Sequence, residues 1–124
     1  MAPQHPHVQE PLTELYQQLL EINRQAFAAG HYDVAYHALM AALHCAQPLK
    51  DVDGLGEIKR VAEEQLQYID RNQPQYEHST RSAHQRGHVS VYALLARQAE
   101  TRVRIFTAEA HWEATKGRKP ASED

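Results

Sequence analysis

A chain of 124 residues with 16 acidic and 13 basic side chains, a net charge of -3 and 42% hydrophobic residues has the composition of one soluble domain and lacks the basic excess of a nucleic-acid or membrane-surface binder. Its one cysteine, Cys45, excludes an intrachain disulfide framework and a cysteine-based zinc cluster, and is the usage expected in the reducing cytoplasm. No apolar run is long enough to cross a bilayer, and the start MAPQHPHVQE carries neither the basic nor the apolar stretch of an export signal.

Pro3, Pro6 and two histidines mark residues 1–9 as an expected disordered leader, and KGRKPASED from Lys116 reads as a frayed tail, leaving residues 10–115 for a single helical domain. From Pro11 to Gly30, Leu12, Leu15, Tyr16, Leu19, Ile22, Ala26 and Phe27 recur at helical spacing among polar residues, interrupted only by Asn23. Pro11 suits the first turn of this helix and Gly30 its left-handed end. A second helix is expected over about 31–47, closing before Pro48. So short a loop folds the pair back antiparallel, which sets Leu15, Leu19, Ile22 and Ala26 against Tyr32, Ala35, Tyr36, Leu39 and Leu43.

A third helix, about 55–72, places Leu55, Ile58, Ala62, Leu66 and Ile69 on one side and Glu57, Arg60, Glu63, Glu64, Gln67 and Arg71 on the other. Pro74 ends it, and a polar segment with a weak point at Gly87 leads to a long fourth helix over roughly 89–115, with a start as early as Ser79 also open. Strand alternation is absent, and the expected fold is an all-α bundle of four antiparallel helices with a long C-terminal helix.

The stretch GHYDVAYHALMAAL carries Gly30, Tyr32, Ala35 and Ala42, and with it residues 15–48 resemble one tetratricopeptide repeat (TPR). In that family a glycine turns the corner, an aromatic wedges it, and two small residues let helices touch. Leu19, Ile22 and Asn23 fall where the family keeps a large, a large and a small residue; Asn23, Ala26 and Pro48 depart from the pattern. The resemblance implies a helical interaction module. One unit is present where a superhelical array needs about three, so the third helix is read as a cap on the hairpin.

On the second helix Asp33, His37, Met40, His44 and Gln47 form one narrow stripe. Asp33 and His37, one turn apart, could share an ion, whereas His37 and His44 stand on the order of 10 Å apart along the axis. His84 and His88 would be one turn apart if a helix ran through Gly87. Asp33, His37, His44, His84 and His88 are therefore the metal candidates, but the bland reading of the stripe is a solvated face with Asp33 at the helix start. There is no HExxH pair, phosphate-cradling glycine loop or GxSxG elbow. His44 and Cys45, adjacent on a helix, diverge by about 100 degrees and make no dyad. No catalytic residue and no cofactor are expected.

The fourth helix carries two apolar stripes at steps of four and three. Tyr92, Ala96, Ala99, Val103, Phe106 and Ala110 form one; Leu94, Gln98, Thr101, Ile105, Ala108 and Trp112 form the other. If the first packs on the domain, the second is a hydrophobic strip in water, and such strips mark association surfaces. The expected occupant is a second copy of the chain, through Leu94, Gln98, Ile105 and Trp112; the alternative is a monomer whose other helices wrap both stripes. Asn23, His37 and His44 are candidate polar recognition points. The sequence thus points to a noncatalytic, homodimeric interaction or assembly module, with a helical metal- or small-ligand-binding protein of sensor type, using histidines, as the alternative.

Overall fold

The computed structural model describes residues 6–116, all of whose regular structure is helical: α1 (Pro6–Ala28), α2 (Tyr32–Leu49), α3 (Val52–Asn72), α4 (Thr80–Gln85) and α5 (Val91–Lys116). The helices number five where four were expected, because the chain turns at Gly87 and the short α4 stays separate from α5. Ser79 caps α4 by accepting from the Ser82 amide at 3.0 Å. Residues 1–5 and 117–124, most of the expected leader and tail, lie outside the described residues. None of the described helices is long and apolar enough to cross a membrane.

Both prolines taken as boundaries lie inside helices. α1 begins at Pro6, so Pro11 falls within it, and Pro48 sits in the last turn of α2. Each ring removes one intrahelical hydrogen bond, that to the carbonyl four residues back, and the helix continues past it. α2 ends one residue after Pro48, where Lys50 adopts φ 52° and the Lys50 and Asp51 amides bond back to Gln47 and Ala46. α3 opens three residues before its expected start, because Asp51 caps it by accepting from the Gly54 amide at 2.9 Å.

Packing proceeds in pairs. Gly30, at φ 83°, turns α1 back onto α2, and α3 lies along α5. α2 joins the pairs, touching α1, α3 and α5. The core is built from Tyr16 and Leu20 of α1, Leu39, Ala42, Leu43 and Ala46 of α2, Leu55, Ile58 and Ala62 of α3, and Leu95, Ala96 and Ala99 of α5. Alanines at 35, 42, 46, 62 and 99 are fully buried. With only a methyl group at each contact, neighbouring helix axes can approach closely.

The face that α1 buries differs from the expected one. Leu15 and Ile22 are each 46% exposed, while Tyr16, Leu20 and Asn23 are buried. The cause is a polar lock between α1 and α3. Asn23 Nδ2 donates to the Ala35 carbonyl at 2.7 Å and to Gln65 Oε1 at 3.1 Å, and Gln65 Nε2 returns a bond to Asn23 Oδ1 at 2.7 Å. Tyr16 adds a second tie, its hydroxyl lying 3.0 Å from both the Gly54 carbonyl and Glu57 Oε1 and sharing its proton between them. These bonds fix the rotation of α1 and carry Leu15 and Ile22 outward.

At the end of the bundle where α1 meets α2, aromatic rings stitch the segments together. Phe27 packs on Tyr32 and Tyr68, Tyr32 on Tyr76, and Tyr36 on Tyr92, with ring centroids 4.9–5.7 Å apart. The Tyr92 hydroxyl donates to the Tyr32 carbonyl at 2.7 Å, joining α5 to the first turn of α2.

A candidate interaction surface on the last helix

The two halves of α5 sit in different surroundings. Its first half buries Tyr92, Leu95, Ala96 and Ala99 against the other helices. From Arg104 to Lys116 only Phe106 is even partly covered. That second half spans about 18–20 Å at 1.5 Å per residue. It passes the α2–α3 corner, where the Lys50 ammonium pairs with Glu109 at 3.1 Å and lies 5.8 Å over the Phe106 ring. Both partners of that ion pair are more than half exposed, so it contributes little on its own. A helical segment of this length is marginal in water without packing on one face.

Along this helix Leu94, Ile105 and Trp112 are 45%, 38% and 61% exposed. Gln98 is half-buried between them, and Thr101 and Ala108 are exposed. A shallow groove of about 360 Å³ runs between Leu94, Arg97, Gln98, Thr101, Arg102 and Ile105. A second, of about 470 Å³, lies at the corner between Lys50, Val52, Phe106, Ala110 and Trp112. The four association residues read from the sequence therefore share one side of α5; the first groove lies on that side, and the second lies between α5 and the α2–α3 corner, with Trp112 in its lining.

The polar candidates are scattered. Asn23 is 2% exposed and wholly engaged with Ala35 and Gln65, so it is an internal strut and cannot meet a partner at the surface. His37 and His44 are exposed on α2, and the Tyr36 ring packs against His37 at 5.1 Å. His84 lies in α4 and His88 in the loop after Gly87, both exposed, so the continuous helix that would align them is absent. Among the described residues none of these four histidines belongs to a group of three or more potential metal donors. Asp33 lies in the first turn of α2, and its carboxylate accepts from the hydroxyl of Tyr76 in the α3–α4 loop.

Cys45 is buried, and burial pushes its thiol above its ordinary value, which disfavours the nucleophilic thiolate. A cavity of about 560 Å³ between α3 and α5 has Leu66, Tyr92 and Ala96 in its wall and Glu63, Asp70, Arg97 and Glu100 around them. Sequence reasoning did not anticipate it, since its walls come from helices some thirty residues apart. Comparison of the chain with models of protein families, with curated proteins and with solved structures finds no match.

Proposed function

We propose that the protein is a noncatalytic, TPR-like interaction and assembly module that forms a homodimer through the exposed strip of α5. The observation that carries this reading is the exposure of Leu94, Ile105 and Trp112 along one side of a helix whose second half has almost no cover. Three large apolar side chains in register over five turns form a surface that water disfavours and a second helix can bury.

A second copy is the simplest occupant, because the strip is symmetric about residue 103. Positions 94 and 112, 98 and 108, and 101 and 105 are equidistant from it. A two-fold axis level with Val103 sets Leu94 against the partner's Trp112 and Ile105 against the partner's Thr101, with every strip position meeting another strip position. The α1–α2 hairpin supports the scaffold part of the reading: Gly30 makes its turn, Tyr32 wedges against Phe27, and Ala35 and Ala42 are fully buried. The noncatalytic part rests on a sequence without a recognisable reactive constellation, and the cytoplasm remains the proposed compartment from cysteine usage.

Sedimentation velocity over a concentration series tests the dimer. The wild-type chain is expected to sediment as a dimer and Ile105→Asp as a folded monomer, since the carboxylate would be desolvated in the interface and solvated outside it. A monomeric wild-type protein at the highest concentration, or a variant that unfolds instead of dissociating, would reject the reading.

A further inference from the structure

We propose that Asp33, Glu77 and His78 form a binding site for a divalent first-row transition ion, with Zn2+ the ion that best suits the donors. Asp33 lies in the first turn of α2, and Glu77 and His78 lie in the loop between α3 and α4, more than forty residues away. One donor atom from each falls within 4.8 Å of the other two. This is a mixed set, two carboxylate oxygens and an imidazole nitrogen, which is the chemistry that borderline ions select over calcium or magnesium. A tetrahedral ion with bonds of about 2.1 Å needs donors about 3.4 Å apart. Closing that gap requires rotation of the side chains, those of Asp33 and Glu77 being exposed and that of His78 partly buried.

The backbone beneath the donors is held from several directions. Ser90 Oγ donates to the His78 carbonyl at 2.6 Å, the Arg86 guanidinium donates to the Glu77 carbonyl, and the hydroxyls of Ser79 and Ser82 both donate to the Pro74 carbonyl. Tyr76 touches two of the three ligands at once, its hydroxyl bonded to Asp33 Oδ1 and its ring packed edge-to-face with the His78 imidazole, centroids 5.5 Å apart. The backbone is therefore ordered before an ion arrives, and the side-chain rotamers are what the ion must set. A cleft of about 540 Å³ lined by His31, Tyr32, Asp33, Gln73 and Tyr76 opens beside Asp33, with room for water or a further ligand in the remaining coordination positions. Asp33 and Glu77 bring two carboxylates together here, and Arg86 pairs with Glu77 Oε1 at 4.0 Å. Binding there would tie the start of α2 to the α3–α4 loop, and it is independent of the dimer strip on α5.

The test is calorimetric titration of the untagged full chain with zinc chloride. We expect one site per chain, weakened tenfold or more by His78→Ala and by Glu77→Gln, and unchanged in the double variant His37→Ala/His44→Ala. Absence of saturable binding overturns the proposal, as does retention of full affinity in His78→Ala and Glu77→Gln, or loss of affinity in the double variant. Circular dichroism provides a second readout: at equal zinc concentration the ion should raise the thermal midpoint of the wild type more than that of Glu77→Gln, and equal shifts would overturn the proposal.

Discussion

The Asn23–Gln65 lock offers a quantitative test of how the two helix pairs are joined. Truncating Asn23 to alanine removes all three of its hydrogen bonds and strands the Gln65 amide, itself only 9% exposed, along with one lone pair of the Ala35 carbonyl. Each buried polar group left unpaired costs about 1–3 kcal/mol, so Asn23→Ala should destabilise by about 2–4 kcal/mol. Gln65→Ala leaves Asn23 its bond to Ala35 and strands only Oδ1, for a loss of about 1–3 kcal/mol. The double variant removes the orphans together with their partners. It should therefore cost less than the sum of the single losses, with a coupling of about 1–2 kcal/mol. Urea unfolding of all four proteins, followed by circular dichroism, closes the cycle. If the single losses add to within about 0.5 kcal/mol, or if Asn23→Ala costs less than 1 kcal/mol, the lock does not hold α1 to α3 and another contact must set its rotation.

Three further outcomes follow from the same structure. A Cβ on Gly54 would stand 2.4 Å from Asp51 Oδ2 and 3.1 Å from the Tyr16 hydroxyl, whereas one on Gly56 would meet nothing within 4 Å. Thermal unfolding should therefore show Gly56→Ala stabilised by about 0.5–1 kcal/mol and Gly54→Ala destabilised by about 1 kcal/mol through loss of the Asp51 cap; equal gains at both positions would discredit the close approach. Burial, reinforced by Glu57 and Asp51 and opposed by Arg60, raises the Tyr16 hydroxyl above its ordinary value. The unfolded chain gives up this proton above about pH 10 while the folded chain keeps it, so stability falls as pH rises beyond that point. Tyr16→Phe should lose about 1 kcal/mol at neutral pH and show a shallower alkaline decline, and an unchanged slope would remove Tyr16 as its cause.

What the sequence disclosed, and what it concealed, divides by range. The helices of α2, α3 and α5 were legible because their apolar positions recur at a single period, and the polar side of α3, from Glu57 to Arg71, is exposed as expected. The orientation of α1 was not. Its apolar residues spread over a broad arc, so Leu15 and Ile22 looked eligible for burial, while Leu20, buried in the fold, was not among the positions read as its core face. The deciding residue, Asn23, is polar, and its partner Gln65 stands 42 positions away. A polar residue interrupting an apolar face can signal a buried pair, but the partner cannot be named without the fold. The same limit hid the Asp33–Glu77–His78 group, whose members lie on segments with no shared period, and the cavity between α3 and α5. The strip on α5 was visible because it is local: six positions on one helix need no tertiary knowledge to be aligned.

Trp112 is the one tryptophan in the chain and lies at the far end of the strip, 61% exposed in the single copy. Its emission therefore reports directly on whether a second copy covers α5. At high protein concentration the spectrum should be shifted to the blue, as for an indole removed from water, and should move to the red on dilution and in Ile105→Asp at every concentration. A wild-type spectrum that stays at the water-exposed position, the same at all concentrations and indistinguishable from that of Ile105→Asp, would contradict self-association through this helix.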